Sequence, residues 1–508
     1  MHILSARPKA AVVASALVGL VATPAWAHEV RIEHVTVISP ERSSPLRDVS
    51  VSIRDNRIVA VGRSAHRGEG SADIEIIDGK GLYLAPGLID SHVHADLPGI
   101  GDAQERASPA IARRMREQEP RSFLYFGFTT LVDLIGTREA TQEWNALPTR
   151  PDRYFCGGAE IPGGYPLIEF VAQPIRRSLN AYMIVQSGEE PRAPAGIDPP
   201  AHTPEAVVTR MKADGAICVK TFYERGFGDV DVQRAPRLDT IRALVAAAHA
   251  AQMPVLIHAN STDGQEFAVA AGVDVIVHGM WHWQREQAAT ELTSRAKRIL
   301  DDVLQAKIGW QPTMQVLYGI QDVFDPRYLS DAHVAHVVPA SVLEWYRSPQ
   351  GQWYHDLLLP DLLPKAAVDS HDPQVQWDAA RGALSAPITR NRNATHYMAT
   401  HNGRVLFGTD TPSAPSYANP PGLNGWLEMH HLVDGGLTPA QIFRAATDGN
   451  AKALGLERDL GTVVAGKRAN LLLLREDPTK TVEAYDAIVK VIVQGKVFDR
   501  AALAADAH

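Results

Sequence analysis

The sequence predicts an α/β fold: a (β/α)8 TIM-like barrel with a small β-sandwich domain built from both chain ends. Three observations predict it. Eight short apolar runs recur through the middle of the chain, each followed by a helical or loop segment, as a parallel barrel requires. Several of these runs end on a side chain able to bind or react, namely His92 and His94, Lys220, His258, His278 and Asp410. The two chain ends instead carry short alternating runs that do not suit a parallel barrel.

The chain has 508 residues, of which 45% are hydrophobic and 21% charged, enough to bury a large core. A net charge of −8 without a visible basic face argues against a nucleic-acid partner. Residues 1–27 read as a secretory signal peptide. Arg7 and Lys9 precede the apolar stretch Ala10 to Ala22, and Ala25-Trp26-Ala27 is a small-x-small cleavage site. The apolar run is shorter than the roughly 20 residues of a spanning helix, and no later stretch is apolar enough to span. Its removal takes the charge from 50 − 58 to 48 − 58, or −10. The expected location is periplasmic or secreted. With only two cysteines in so long a chain, disulfides are not expected to hold it together. Cys156 and Cys218 fall on neighbouring predicted strands, where a pair is conceivable, but two buried free thiols are the expectation.

The sandwich is expected over residues 28–81 and 457–508. Its runs are Arg31 to Ile38, Val49 to Ile53, Ile58 to Gly62, Asn470 to Leu474 and Ile488 to Val493, with Asp55-Asn56 as a turn. The barrel is expected over 82–456. Its strands are Leu84 to Ile89, Thr129 to Leu134, Tyr154 to Gly157, Ala216 to Thr221, Val255 to Ala259, Val275 to His278, Ile308 to Thr313 and Val405 to Thr409. Two connections are long. Pro162 to Pro204 is expected to cap the site; Phe324 to Thr400, with Trp345, Trp353 and Trp377, is expected to form a lid or the contact of a homo-oligomer.

Alternate side chains of a strand share a side, so His92 and His94 share one ligand direction, and imidazole suits zinc and its first-row neighbours. Ala216 to Lys220, Pro254 to His258, Val273 to Gly279 and Val405 to Asp410 deliver the remaining groups to further strand ends, where barrel active sites lie. Taken singly, each residue has a plainer reading. Lys220 would pair with Glu224 or Asp229, Asp410 would cap a loop before Thr411-Pro412, and the histidines would be hydrogen-bonded core residues.

The run Pro86-Gly87-Leu88-Ile89-Asp90-Ser91-His92-Val93-His94, the later lysine, the two later histidines and Gly408-Thr409-Asp410 together resemble the amidohydrolase superfamily, in matching order. Residues 445–456 and 461–474 resemble its closing helix and returning strands. Its Xaa-Pro dipeptidase and imidazolonepropionase-like branch is the most similar. The resemblance implies two divalent metal ions, zinc by default, and a carbamate on Lys220 formed from carbon dioxide. His92, His94, Asp410 and the carbamate would hold one ion; His258, His278 and the same carbamate would hold the other. A bridging hydroxide would be the nucleophile, with Asp410 as a further ligand and general base.

The implied function is hydrolysis of an amide C–N bond in a small molecule, a dipeptide or an N-acyl amino acid. Cyclic amides or lactones are the alternative substrates, and a non-catalytic binding or assembly relative is the alternative of another class. Tyr223, His282 and Tyr165 are expected to contact substrate, with Trp281, Trp283, Gln311 and Arg225 at the same mouth. Loop packing is the competing reading for each. The aromatic supply suggests a pocket for an apolar or ring-bearing group.

Overall fold

A computed structural model of the chain describes residues 29–63, 74–95, 97, 99–166, 173–226 and 233–506, the side chains of 173 and 174 excepted. The expected signal peptide, Asp229 and part of the Pro162 to Pro204 connection lie outside the described residues. The first strands are β1 (Glu29–Val37), β2 (Leu46–Arg54), β3 (Arg57–Gly62), β4 (Ile74–Asp78) and β5 (Tyr83–Pro86). Next come β6 (Leu88–Val93), β7 (Phe128–Asp133), β8 (Asp152–Ala159), β9 (Cys218–Phe222), β10 (Val255–His258), β11 (Val275–Val277) and β12 (Gly309–Gln311). The last are β13 (Leu471–Leu474), β14 (Ile488–Val493) and β15 (Lys496–Asp499).

Strands β1 to β5 and β13 to β15 form one mixed sheet in the order β15-β14-β13-β5-β1-β2-β3, with β4 also on β1. Both chain ends contribute, as expected. The expected sandwich is, however, one continuous branched sheet. The nine-residue β1 pairs with β2 along one edge and, along the other, with β4 from Glu29 to Glu33 and β5 from Thr36 to Val37. Asp55 and Asn56 both take positive φ, 50° and 61°, as the tight β2–β3 turn demands. Val30, Ile32, Val51, Leu471 and Ile492 are among the residues of the sheet's own core.

Strands β6 to β12 form a second, all-parallel sheet in sequence order. Their side chains are buried almost throughout, as expected of strands covered on both faces. The connecting helices begin and end on local signals. Ser261 accepts a hydrogen bond from the Gly264 N–H to start Thr262–Ala271, and Gly272, at φ 76°, ends it. The segment expected as the eighth strand, 405–409, is not a regular strand, but the chain here meets both edges of this sheet through single bridges at Val405 and Thr411. On one side the Leu406 N–H donates to the Trp310 carbonyl, and on the other the Asp410 and His94 N–H groups donate to the carbonyls of His92 and Thr411.

The run Leu84 to Ile89, expected as one barrel strand, is divided between the two sheets. Leu84 and Ala85 pair in the mixed sheet and Leu88 onward in the parallel one. The division falls at Gly87, where a Cβ would come within 2.1 Å of Thr129 Oγ1. Only glycine lets the two backbones approach this closely.

The expectation of free thiols is overturned. Strands β8 and β9 are adjacent and in a register that sets Cys156 opposite Cys218, with Cα atoms 4.5 Å apart, and the two are joined in a disulfide. The crosslink closes a 62-residue separation. Constraint of the unfolded chain at that length is worth about 4 kcal/mol at most. The Cys156→Ser/Cys218→Ser variant is expected to unfold at a lower denaturant concentration; an unchanged midpoint would show that the crosslink does not contribute.

Candidate functional site

The parallel register brings strand ends carrying chemistry to one side. His92 and His94 leave β6, Lys220 lies in β9, His258 ends β10, His278 follows β11 and Asp410 ends the 404–411 segment. All six line one cavity of about 460 Å³. Nε2 of His92 and Nε2 of His94 converge on the same oxygen, Asp410 Oδ1, at 3.0 and 2.9 Å. The His258 and His278 rings are 4.6 Å apart, and His278 is 5.2 Å from His92. His278 and Asp410 hold positive φ, 77° and 61°, a conformation side chains rarely take unless their surroundings impose it.

Burial sets the charge of these groups. It pushes the His92 imidazole down to about 3, with Asp410 opposing the shift only in part. It lowers His258 and His278 as well. Burial also brings Lys220 down to about 7, against the pull of Asp410. Burial by itself raises the Asp410 carboxyl, yet His92 together with hydrogen bonds from His92 and His94 holds it well below the usual carboxylate range. Burial thus favours the neutral forms of His92, His258, His278 and Lys220 around the Asp410 carboxylate. Among the described residues Lys220 Nζ makes no hydrogen bond or ion pair; it lies 5.5 Å from the Phe222 ring centroid. Glu224, offered above as its partner, is bonded to His258 instead.

The sequence reading missed the positioning role of two residues. Glu224 Oε2 binds His258 Nε2 at 3.1 Å, and its Oε1 accepts from the N–H groups of Arg225 and Gly226. Thr313 Oγ1 binds His278 Nδ1 at 2.8 Å. The two histidines are thus fixed through opposite ring nitrogens. His258 keeps Nδ1, and His278 keeps Nε2, for another partner.

Of the expected substrate contacts, Tyr165 lines the cavity, with its ring 4.5 Å from that of His258. Tyr223 does not. Strand alternation turns Lys220 and Phe222 into the cavity, whereas Tyr223 packs on Phe267, 4.6 Å between centroids. His282 is also outside the lining, and burial lowers its imidazole to about 4. Trp281, Trp283 and Gln311 are core residues: Trp281 packs with Leu317 and Leu384, the Trp283 Nε1–H donates to the Met280 carbonyl, and Gln311 Nε2 donates to Ser91 Oγ. The cavity wall instead draws on Phe222, Ile175, Arg176 and Trp353, the last from the long 324–400 connection.

A family model for the amidohydrolase family matches residues 358–498. The chain is similar to the amidohydrolase family over this part of its length. An N-acyl-D-aspartate deacylase of Alcaligenes xylosoxydans xylosoxydans is 46% identical over 52 residues, 10% of each chain. A deacetylase of Brucella anthropi is 36% identical over 100 residues, 20% of this chain and 21% of the relative. These matches thus span about a fifth of the curated relatives' length or less. A Xaa-Pro dipeptidase solved with bound methionine shares the fold, with TM-score 0.60 and 19% identity over 93% of this chain and 100% of that one.

Amidohydrolases generally use divalent metals, and the side chains present fit such ions. His92, His94 and Asp410 offer ligand atoms within 4.8 Å of one another. Buried neutral imidazoles keep their lone pairs for a metal, and the set of nitrogen and carboxylate donors suits zinc. Replacing Glu224 by Ala or Thr313 by Val is expected to weaken metal retention about 10- to 100-fold in a chelator competition while the protein stays folded. Wild-type retention in both variants would contradict the positioning role.

Proposed function

We propose that this protein is an exported, metal-dependent amidohydrolase that cleaves the amide C–N bond of a dipeptide or an N-acyl amino acid. The observation that carries the reading is the convergence of His92, His94, Lys220, His258, His278 and Asp410 on one cavity at parallel strand ends. The match of residues 358–498 to the amidohydrolase family and the short matches to a deacylase and a deacetylase support hydrolysis of such bonds. The order of the parallel strands and the bonding of 404–411 to both sheet edges support an eight-stranded barrel from Leu88 to about residue 456, later than the expected start at 82 because Tyr83–Pro86 pairs in the mixed sheet. The mixed sheet, from the two chain ends, would then form the second domain. The disulfide supports export to an oxidising compartment, with 1–27 as the signal peptide.

In this reading His92, His94 and Asp410 hold one divalent ion, and His258 and His278 the other. When bound, the ions polarise the scissile carbonyl and lower the pKa of water near neutrality. Lys220, brought down to about 7 by burial, would be carboxylated by carbon dioxide at Nζ with release of one proton, and the resulting anion would be available to both sites. With His92, His94 and one oxygen of Asp410 turned to the ion, the other Asp410 oxygen would accept the proton of the attacking water and return it to the leaving amine. Tyr165, the cavity neighbour of His258, borders the space for the scissile group.

The zinc-loaded protein is expected to release amino acids from linear amides and to stop on chelation; a metal-loaded protein inert toward all such amides would contradict the reading. Asp410→Asn should lower turnover about 100-fold or more with substrate affinity largely kept. Lys220→Ala should reduce bound metal below about two ions per chain. Undiminished metal and rate in the lysine variant would remove the carbamate from the account.

A further inference from the structure

The apolar side chains that line the cavity differ in what else they touch. Leu97, Ile135, Tyr165, Ile175 and Phe222 pack with one another, and Ile100 belongs to the main core. Trp353 does neither. Among the described residues it joins no hydrophobic cluster, and its side chain makes no hydrogen bond. Its ring contact is with its chain neighbour Tyr354, 5.5 Å between centroids. Trp353 heads the helix Trp353–Leu362, none of whose residues is buried although six of the ten are Trp, Tyr or Leu. The fold therefore makes little use of this indole, and the cavity is what it faces.

Gly101 shows that the place of the indole is built. Its backbone is extended, φ −72° and ψ 157°, a conformation open to any residue. Space is what calls for glycine here. A Cβ would lie 2.9 Å from Trp353 Cζ2 and 3.0 Å from Cη2, the rim of a rigid ring. The remaining neighbour, Gln104 Oε1 at 2.6 Å, ends a flexible side chain that turns aside at little cost.

We propose that Trp353, seated on Gly101, is a specificity-determining residue that packs on an apolar ring of the substrate. The proposal rests on the amide-hydrolase reading above and adds the side chain that ranks its substrates. An apolar ring entering the cavity of about 460 Å³ would cover the indole, remove water from both surfaces and add the attraction of an offset or edge-to-face pair. A methyl group covers little of that area, and a charged group set against the indole would lose hydration without a partner.

Two matched sets of linear amides test it: alanyl-alanine, alanyl-phenylalanine and phenylalanyl-alanine, and N-acetyl-alanine, N-acetyl-phenylalanine and N-benzoyl-alanine. Within the set that zinc-loaded protein cleaves, kcat/KM for a ring-bearing member is expected to exceed that of the ring-free one about tenfold or more. Trp353→Ala should bring that ratio close to unity and Trp353→Phe should keep most of it, with metal bound as in the wild type. Gly101→Ala, which pushes the indole off its seat, should lower the ratio when Trp353 is present and leave it unchanged in the Trp353→Ala background. Equal kcat/KM across a set, or a ring preference that survives Trp353→Ala, would overturn the role of Trp353 while leaving amide hydrolysis in place. Cleavage of none of the six by protein that holds its metal would overturn the amide-hydrolase reading and this one with it.

Discussion

The site depends on how the segment 404–411 is held between the two edges of the parallel sheet. Its far end must place Asp410 Oδ1 midway between two imidazoles of β6, and several buried contacts fix that register. Asp90 accepts from the N–H groups of His92 and Thr409 and from Thr409 Oγ1, so one carboxyl spans both strand ends. Burial pushes that carboxyl up to about 7, which its hydrogen bonds resist only in part. Asn450 does the same from the closing helix, donating through Nδ2 to the carbonyls of Ile89 and Phe407. Gly408 lets the segment lie close to β6, since a Cβ there would reach the Cβ of His92 at 2.8 Å. Loss of any of these contacts would move Asp410 relative to both histidines at once.

A second constraint is dielectric. Six polar side chains share a space walled by Leu97, Ile135 and Phe222. Isolated charges are expensive there, and burial lowers His92, His258, His278 and Lys220 around the Asp410 carboxylate. Neutral nitrogen donors beside an anion are what a divalent cation requires. The hydrogen bonds from Glu224 and Thr313 then decide which nitrogen each histidine offers. The donors are held in place by the protein's own hydrogen bonds.

Much of this was legible in the sequence because it is local. An apolar run ending in histidine, lysine or aspartate announces its own strand end, and the order of six such ends led to the family. What failed required parity or long-range order. Strand alternation separates Phe222 from Tyr223, yet the loop position of Tyr223 outweighed it in the sequence reading. Trp281 and Trp283 looked like pocket aromatics until the helix Pro373–Thr400 brought Leu384 and Arg390 against that loop. The cysteine pair needed the register of β8 on β9, which no residue pattern states. The division of Leu84 to Ile89 at Gly87 was invisible for a similar reason, since both halves are equally apolar. The contribution of Trp353 to the cavity depends on how the long 324–400 connection folds back.

The most direct test of the central claim is anomalous X-ray diffraction from crystals of the protein grown with zinc. The account predicts two peaks inside the cavity, one among His92, His94 and Asp410 and one beside His258 and His278, bridged by density extending from Lys220 Nζ. Zinc bound only at surface carboxylates, with neither cavity position occupied, would contradict it.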